Sequence, residues 1–180
     1  MNRVNTNLTK TIYLGLLVTF GLILHLIEQG MPNPFPIPGA KLGLANIITL
    51  IALVLYGVKN AMFVVVLRVF LGSLLGGTLM GFAFFLSMSG AVVSLIFMAF
   101  GISLKKIGFL SLIGVSLLGA TFHNITQLVM ASLLMEQIGI LFMYLPYLLI
   151  FAIPTGFFTG LVATLIVNVV NTNLQHITNI

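Results

Sequence analysis

The sequence predicts an all-α membrane protein, a six-transmembrane-helix bundle forming one integral domain over residues 1–180. Three observations predict it. The chain is 60% hydrophobic and only 5% charged, with a mean hydropathy of +1.25, and so few charges cannot solvate the surface of a soluble domain of this size. Apolar runs of roughly 18 residues or more recur from Thr11 onward, the length a helix needs to cross the hydrocarbon core. The short alternating segments of a membrane β-barrel are missing.

The first helix is expected at about residues 11–29, after a polar opening that carries Arg3 and Lys10. No small-x-small cleavage site follows its apolar core, so it reads as a retained span. His25 and Glu28 lie three residues apart and share a face near its far end. The stretch from Met31 to Thr49 then organises the chain, because Pro32, Pro34, Pro36 and Pro38 fall within seven residues. Each proline fixes φ and removes a backbone donor. Each also drives the residue before it, Asn33, Phe35 or Ile37, toward an extended conformation. The connector is expected to be stiff, hinged at Gly30 and Gly39, where glycine tolerates unusual backbone angles. We read Gly30, Pro32, Pro34, Phe35, Pro36, Pro38 and Gly39 as a gating loop between two apolar helices.

The second helix, about residues 41–56, is short for a span and carries Gly43 and Asn46. Gly57, Lys59 and Asn60 form the next expected turn, and the third helix covers about residues 61–79 with Arg68 inside it. A glycine-rich turn (Gly76, Gly77, Gly81) leads to the fourth helix, about residues 82–104, closed by Lys105 and Lys106. The fifth, about residues 109–135, carries His123, Asn124 and Gln127. After a loop of Glu136, Gln137 and Gly139 comes the sixth, about residues 142–170, with Pro146 and Pro154 as start or kink points. Six spans place both termini on one side together with Arg3, Lys10, Lys59, Lys105 and Lys106, against Lys41 alone on the other. The positive-inside rule then makes both termini cytoplasmic and the proline loop external.

Catalysis is not expected. The chain has no cysteine and only two acidic residues, Glu28 and Glu136, so thiol chemistry and carboxylate-held magnesium–diphosphate chemistry lack their groups. There is no G-x-x-x-x-G-K-[ST] loop for ATP and no G-x-S-x-G elbow. His25, His123 and His176 have no zinc-site spacing, and neither metal nor cofactor is expected. No basic cluster exceeds the pair Lys105-Lys106, which argues against nucleic acid.

Arg68 is the most informative residue. A charge inside a span is costly and faces the bundle interior or a water-filled cavity; it either meets a ligand or snorkels to tie helix ends to carbonyls. His123 and Gln127 share a face by i, i+4 spacing, with Asn124 beside them, and serve ligand contact or interhelical bonding. Asn46, His25, Glu28 and Lys41 complete a candidate polar rim below the proline loop. Among the G-x-x-x-G matches, Gly72/Gly76 and Gly156/Gly160 are explained by close helix packing.

The runs PGAKLGLANIITL, LRVFLGSLLGG and GATFHNITQLVMASLL resemble the Gx transporter family, whose older label is heptaprenyl diphosphate synthase component I. That family is similar in turn to the S components of energy-coupling factor (ECF) transporters. The resemblance implies a six-helix, multi-pass subunit of a bacterial cell membrane that captures a vitamin or related micronutrient from outside. It also implies an outer-half pocket closed by the loop between the first two helices. The implied partners are one ECF transmembrane subunit and two ATPase subunits, which supply the hydrolysis this chain lacks. S components present small residues at i, i+4 spacing on the first helix to the transmembrane partner; the match here is Thr11, Gly15 and Thr19. The older label leaves one alternative, a non-catalytic membrane accessory subunit of a prenyl diphosphate synthase, since a chain without aspartate cannot hold that enzyme's aspartate-rich motifs.

Overall fold

The computed structural model describes residues 3–31 and 41–178, with side chains for residues 8–31, 41–170 and 172. The described residues form five helices and no strand: α1 (Arg3–Gly30), α2 (Asn46–Leu75), α3 (Phe82–Lys106), α4 (Leu112–Leu134) and α5 (Ile138–Thr178). Each contains a segment long and apolar enough to cross a membrane. Pro32, Pro34, Phe35, Pro36, Pro38 and Gly39 of the expected gating loop lie outside the described residues. Gly30 closes α1.

Five helical elements stand where six were expected, because α2 joins two helices across a kink. The expected second and third helices are one element, α2, interrupted at a single residue, Gly57, with φ 78° and ψ 175°. Only glycine adopts such angles without strain. Lys59 and Asn60, expected in a turn, are already helical, and the Asn60 amide donates to the Tyr56 carbonyl across the break at 2.6 Å. The break reverses the chain. Arg68 Nη2 donates to Asn46 Oδ1 at 3.3 Å and to Thr49 Oγ1 at 3.2 Å. A straight helix would hold positions 46 and 68 about 33 Å apart, so the limb 46–56 lies alongside the limb 58–75. The first limb is about 16 Å long, roughly half the hydrocarbon thickness. It is buried from Asn46 to Leu53.

Other boundaries also move. Helix α1 begins in the polar opening at Arg3. Residues 41–45, expected to open a helix, are non-helical. Leu75 ends α2 four residues early, and α5 starts at Ile138, so Pro146 and Pro154 lie inside it and neither marks its start.

Among the described residues, helix α1 packs against no helix but α2, while α4 lies between α3 and α5. The main core gathers Leu50, Ile51, Val64, Leu95, Met98 and Val115. Close backbone approach is set by glycines: a Cβ on Gly156 would lie 2.9 Å from Leu117 Cα, and one on Gly160 would lie 2.8 Å from Ile113 Cα. Beside them the Ser116 and Thr159 hydroxyls bond at 2.6 Å. One end of the bundle holds the start of α1, the Gly57 bend, the α3–α4 turn and the later part of α5. The other holds the end of α1, the α2–α3 turn and the α4–α5 turn.

Candidate functional site

Seven of the eight polar residues singled out in the sequence meet in the half of the bundle near the end of α1. His25 and Glu28 come from α1, Asn46 and Arg68 from the two limbs of α2, His123 and Gln127 from α4, and Lys41 from the segment between α1 and α2. The eighth, Asn124, does not join them. Its amide donates to the Leu148 carbonyl of α5 at 2.9 Å, making it a tie between α4 and α5. Adjacent helical residues diverge by about 100°, so Asn124 leaves the face that His123 and Gln127 share.

The geometry is built around non-helical backbone at residues 41–45. In a bilayer such backbone is tolerated only where protein satisfies it, and here side chains do. The Glu28 carboxylate accepts from the Gly43 N–H and from the Leu44 N–H, the latter at 3.1 Å. Gln127 Oε1 accepts from the Lys41 N–H at 3.1 Å, and the Lys41 ammonium donates to His25 Nε2 at 3.0 Å. Gly43 turns the chain with φ +85°, where a Cβ would also stand 3.0 Å from the Asn46 amide. With its oxygen committed to Lys41, the Gln127 amide group donates to His123 Nε2 at 2.9 Å. His123 is thereby a neutral acceptor at Nε2, with its proton on Nδ1. His25 accepts from Lys41 in the same manner.

Charge in the cluster is unevenly matched. Arg68 is 3% exposed, its Nη2 bonds go to neutral groups, and its Nε has no hydrogen-bond partner. Glu28 is the one carboxylate in the cluster, beside Arg68 and Lys41. Burial lowers the pKa of Lys41 to about 8; Glu28 acts against that shift and Arg68 with it. The free volume among these side chains is about 10 Å³, room for about one water.

Two contributors escaped the sequence reading. Thr49 is fully buried one turn from Asn46 and accepts from Arg68. Ser87 of α3 faces the cluster with a buried hydroxyl that has no partner. A signal existed for Ser87: with Gly90, Ala91 and Ser94 it forms a face of small residues that lets α3 approach α4 closely. A Cβ on Gly90 would meet Gln127 Cγ at 2.9 Å. Among the residues expected to dock a partner, Thr11 and Gly15 line an open groove between α1 and α2, and Thr19 is exposed with its hydroxyl bonded to the Gly15 carbonyl.

The role of Glu28 gives an expected result. Glu28→Ala leaves two N–H groups without their acceptor, at about 1–3 kcal/mol for each that stays buried. Unfolding in detergent should show that loss, and Glu28→Gln, which keeps an oxygen acceptor, should lose less. An unchanged midpoint for Glu28→Ala would mean the segment finds other acceptors.

A model of the family described as "Heptaprenyl diphosphate synthase component I" matches residues 17–166. The chain belongs to that family, also known as the Gx transporter family. The match spans the buried cluster from His25 to Gln127 and most of α5. No curated protein and no solved structure matches this Gx transporter family member. The family's description names a component of a synthase. The residues gathered in the cluster include one carboxylate, and no group of three or more metal-ligating side chains occurs among the described residues.

Proposed function

We propose that this Gx transporter family member is the substrate-capturing S component of an ECF-type importer for a small anionic micronutrient. One observation carries the reading: the buried cluster around Arg68, which holds two cationic side chains against one carboxylate. A net positive, mostly buried site is complemented by an anion, and apolar walls beside it accept a hydrocarbon or aromatic body. Candidate ligands are an aromatic carboxylate of the quinone-precursor type or an isoprenoid phosphate. Because the side chains fill the space, capture requires the segment from Lys41 to Leu44 to withdraw. It is held there by Glu28, Gln127 and His25, so a ligand able to take over those bonds lowers the cost of opening. Both termini lie on the cytoplasmic side in this reading, with Lys10, Lys59, Lys105 and Lys106, and the cluster opens outward.

Thr11, Gly15 and Thr19 on the exposed face of α1 are the proposed contact with the ECF transmembrane subunit, and two ATPase subunits supply hydrolysis. The reconstituted chain alone should bind the ligand without accumulating it, and ATP-driven uptake should appear only with an ECF module present. Concentrative uptake by the chain alone would overturn the assignment. A reporter fused after Ile180 should be cytoplasmic; an external one would reverse the proposed orientation.

A further inference from the structure

At the end of the bundle opposite the Arg68 cluster lies a groove of about 770 Å³ bounded by α2, α3, α4 and α5. Its walls are largely apolar, among them Leu53, Ile102, Ile113 and Val167, and the exposed Lys105 and Lys106 line it too. These lysines occupy the last turn of α3, whose span ends there, so they sit where a bilayer places its phosphates. No acidic side chain offsets them. The sequence has two acidic residues; Glu28 is in the far cluster, and Glu136 follows the far end of α4. The volume far exceeds what one inorganic phosphate fills, and an apolar wall gives a soluble polyanion nothing to hold.

We propose that this groove binds an anionic phospholipid drawn from the surrounding bilayer. The phosphate is held by Lys105 and Lys106, and part of an acyl chain lies along the apolar wall. A basic recess between helices at a membrane boundary recognises acidic headgroups, and each lysine near the phosphate adds to that preference. The site is independent of the ligand cluster and of the importer assignment.

Native mass spectrometry of the protein released from vesicles of equal phosphatidylglycerol and phosphatidylcholine content tests this. Retention of phosphatidylglycerol is expected to exceed that of phosphatidylcholine by about fivefold or more, the scale set by one lysine. The double variant Lys105→Gln/Lys106→Gln should bring the ratio to near one. Val54→Trp, which fills the groove without altering charge, should lower retention of both lipids. Equal retention by the unmodified protein, or an unchanged ratio in the lysine variant, would overturn the proposal. So would displacement of the lipid by millimolar inorganic phosphate, or a lipid-free dimer, which would assign the groove to a second copy of the chain.

Discussion

Arg68→Gln should weaken binding of a carboxylate or phosphate ligand at least about tenfold, or about 1.4 kcal/mol, while an uncharged analogue of the same shape binds almost as before. The expectation follows from where Arg68 spends its donors. Asn46 and Thr49 take Nη2, Nε has no partner, and the side chain is sealed from solvent. A buried guanidinium with neutral partners gains from an anion more than a solvated one does. The same bonds also join the two limbs of α2, so a structural contribution has to be separated. Thr49→Val removes one limb-to-limb bond and leaves the charge, so it should lower the unfolding temperature with little effect on anion affinity. Equal loss of charged and uncharged ligands in Arg68→Gln would make the arginine a tie between limbs. Tight binding of a cation would remove the anion reading.

Gly160→Val should cost about 1–3 kcal/mol of stability, the usual range for overpacking a close interface. The added Cβ meets backbone, Ile113 Cα at 2.8 Å, together with Ser116 Cβ at the same distance. Backbone cannot rotate away as a side chain can, so α4 and α5 must separate. That also stretches the Ser116–Thr159 bond, and interhelical bonds in membranes contribute about 0.6–2 kcal/mol. Gly15→Val is the internal control, because nothing lies within 4 Å of its added Cβ. Thermal unfolding in one detergent should separate the two variants clearly. If both unfold together, the glycine interface is not what holds α5.

Much of the fold was legible because a bilayer penalises ambiguity. Apolar runs located the helices, and one arginine inside such a run marked the interior. His123 and Gln127 were placed together by i, i+4 spacing, and His25 with Glu28 by i, i+3, and those pairs do share a cluster. Asn124 was misplaced because adjacency in sequence was read as adjacency on a face. Ser87 went unnoticed because a lone serine costs little in a membrane helix; its signal lay in the small-residue face it shares with Gly90, Ala91 and Ser94. The expected second and third helices meet at Gly57 with no loop between them. A lone glycine looks like part of a longer loop, and no local pattern says that one residue suffices to reverse the chain. That Glu28 would cap the backbone of residues 43 and 44 depended on how the chain returns after Met31, which no local pattern encodes.

The bend at Gly57 also bears on biogenesis. A limb of about 16 Å cannot be held across a bilayer by its own hydrophobicity, and its polar start at Asn46 finds its partner only in Arg68, 22 residues later in synthesis. The limb therefore cannot leave the insertion machinery as an independent span. It enters as half of a hairpin, completed when the limb 58–75 has been made. The two limbs are thus expected to enter the membrane together, and the arginine arrives there already matched to the asparagine and threonine that receive it.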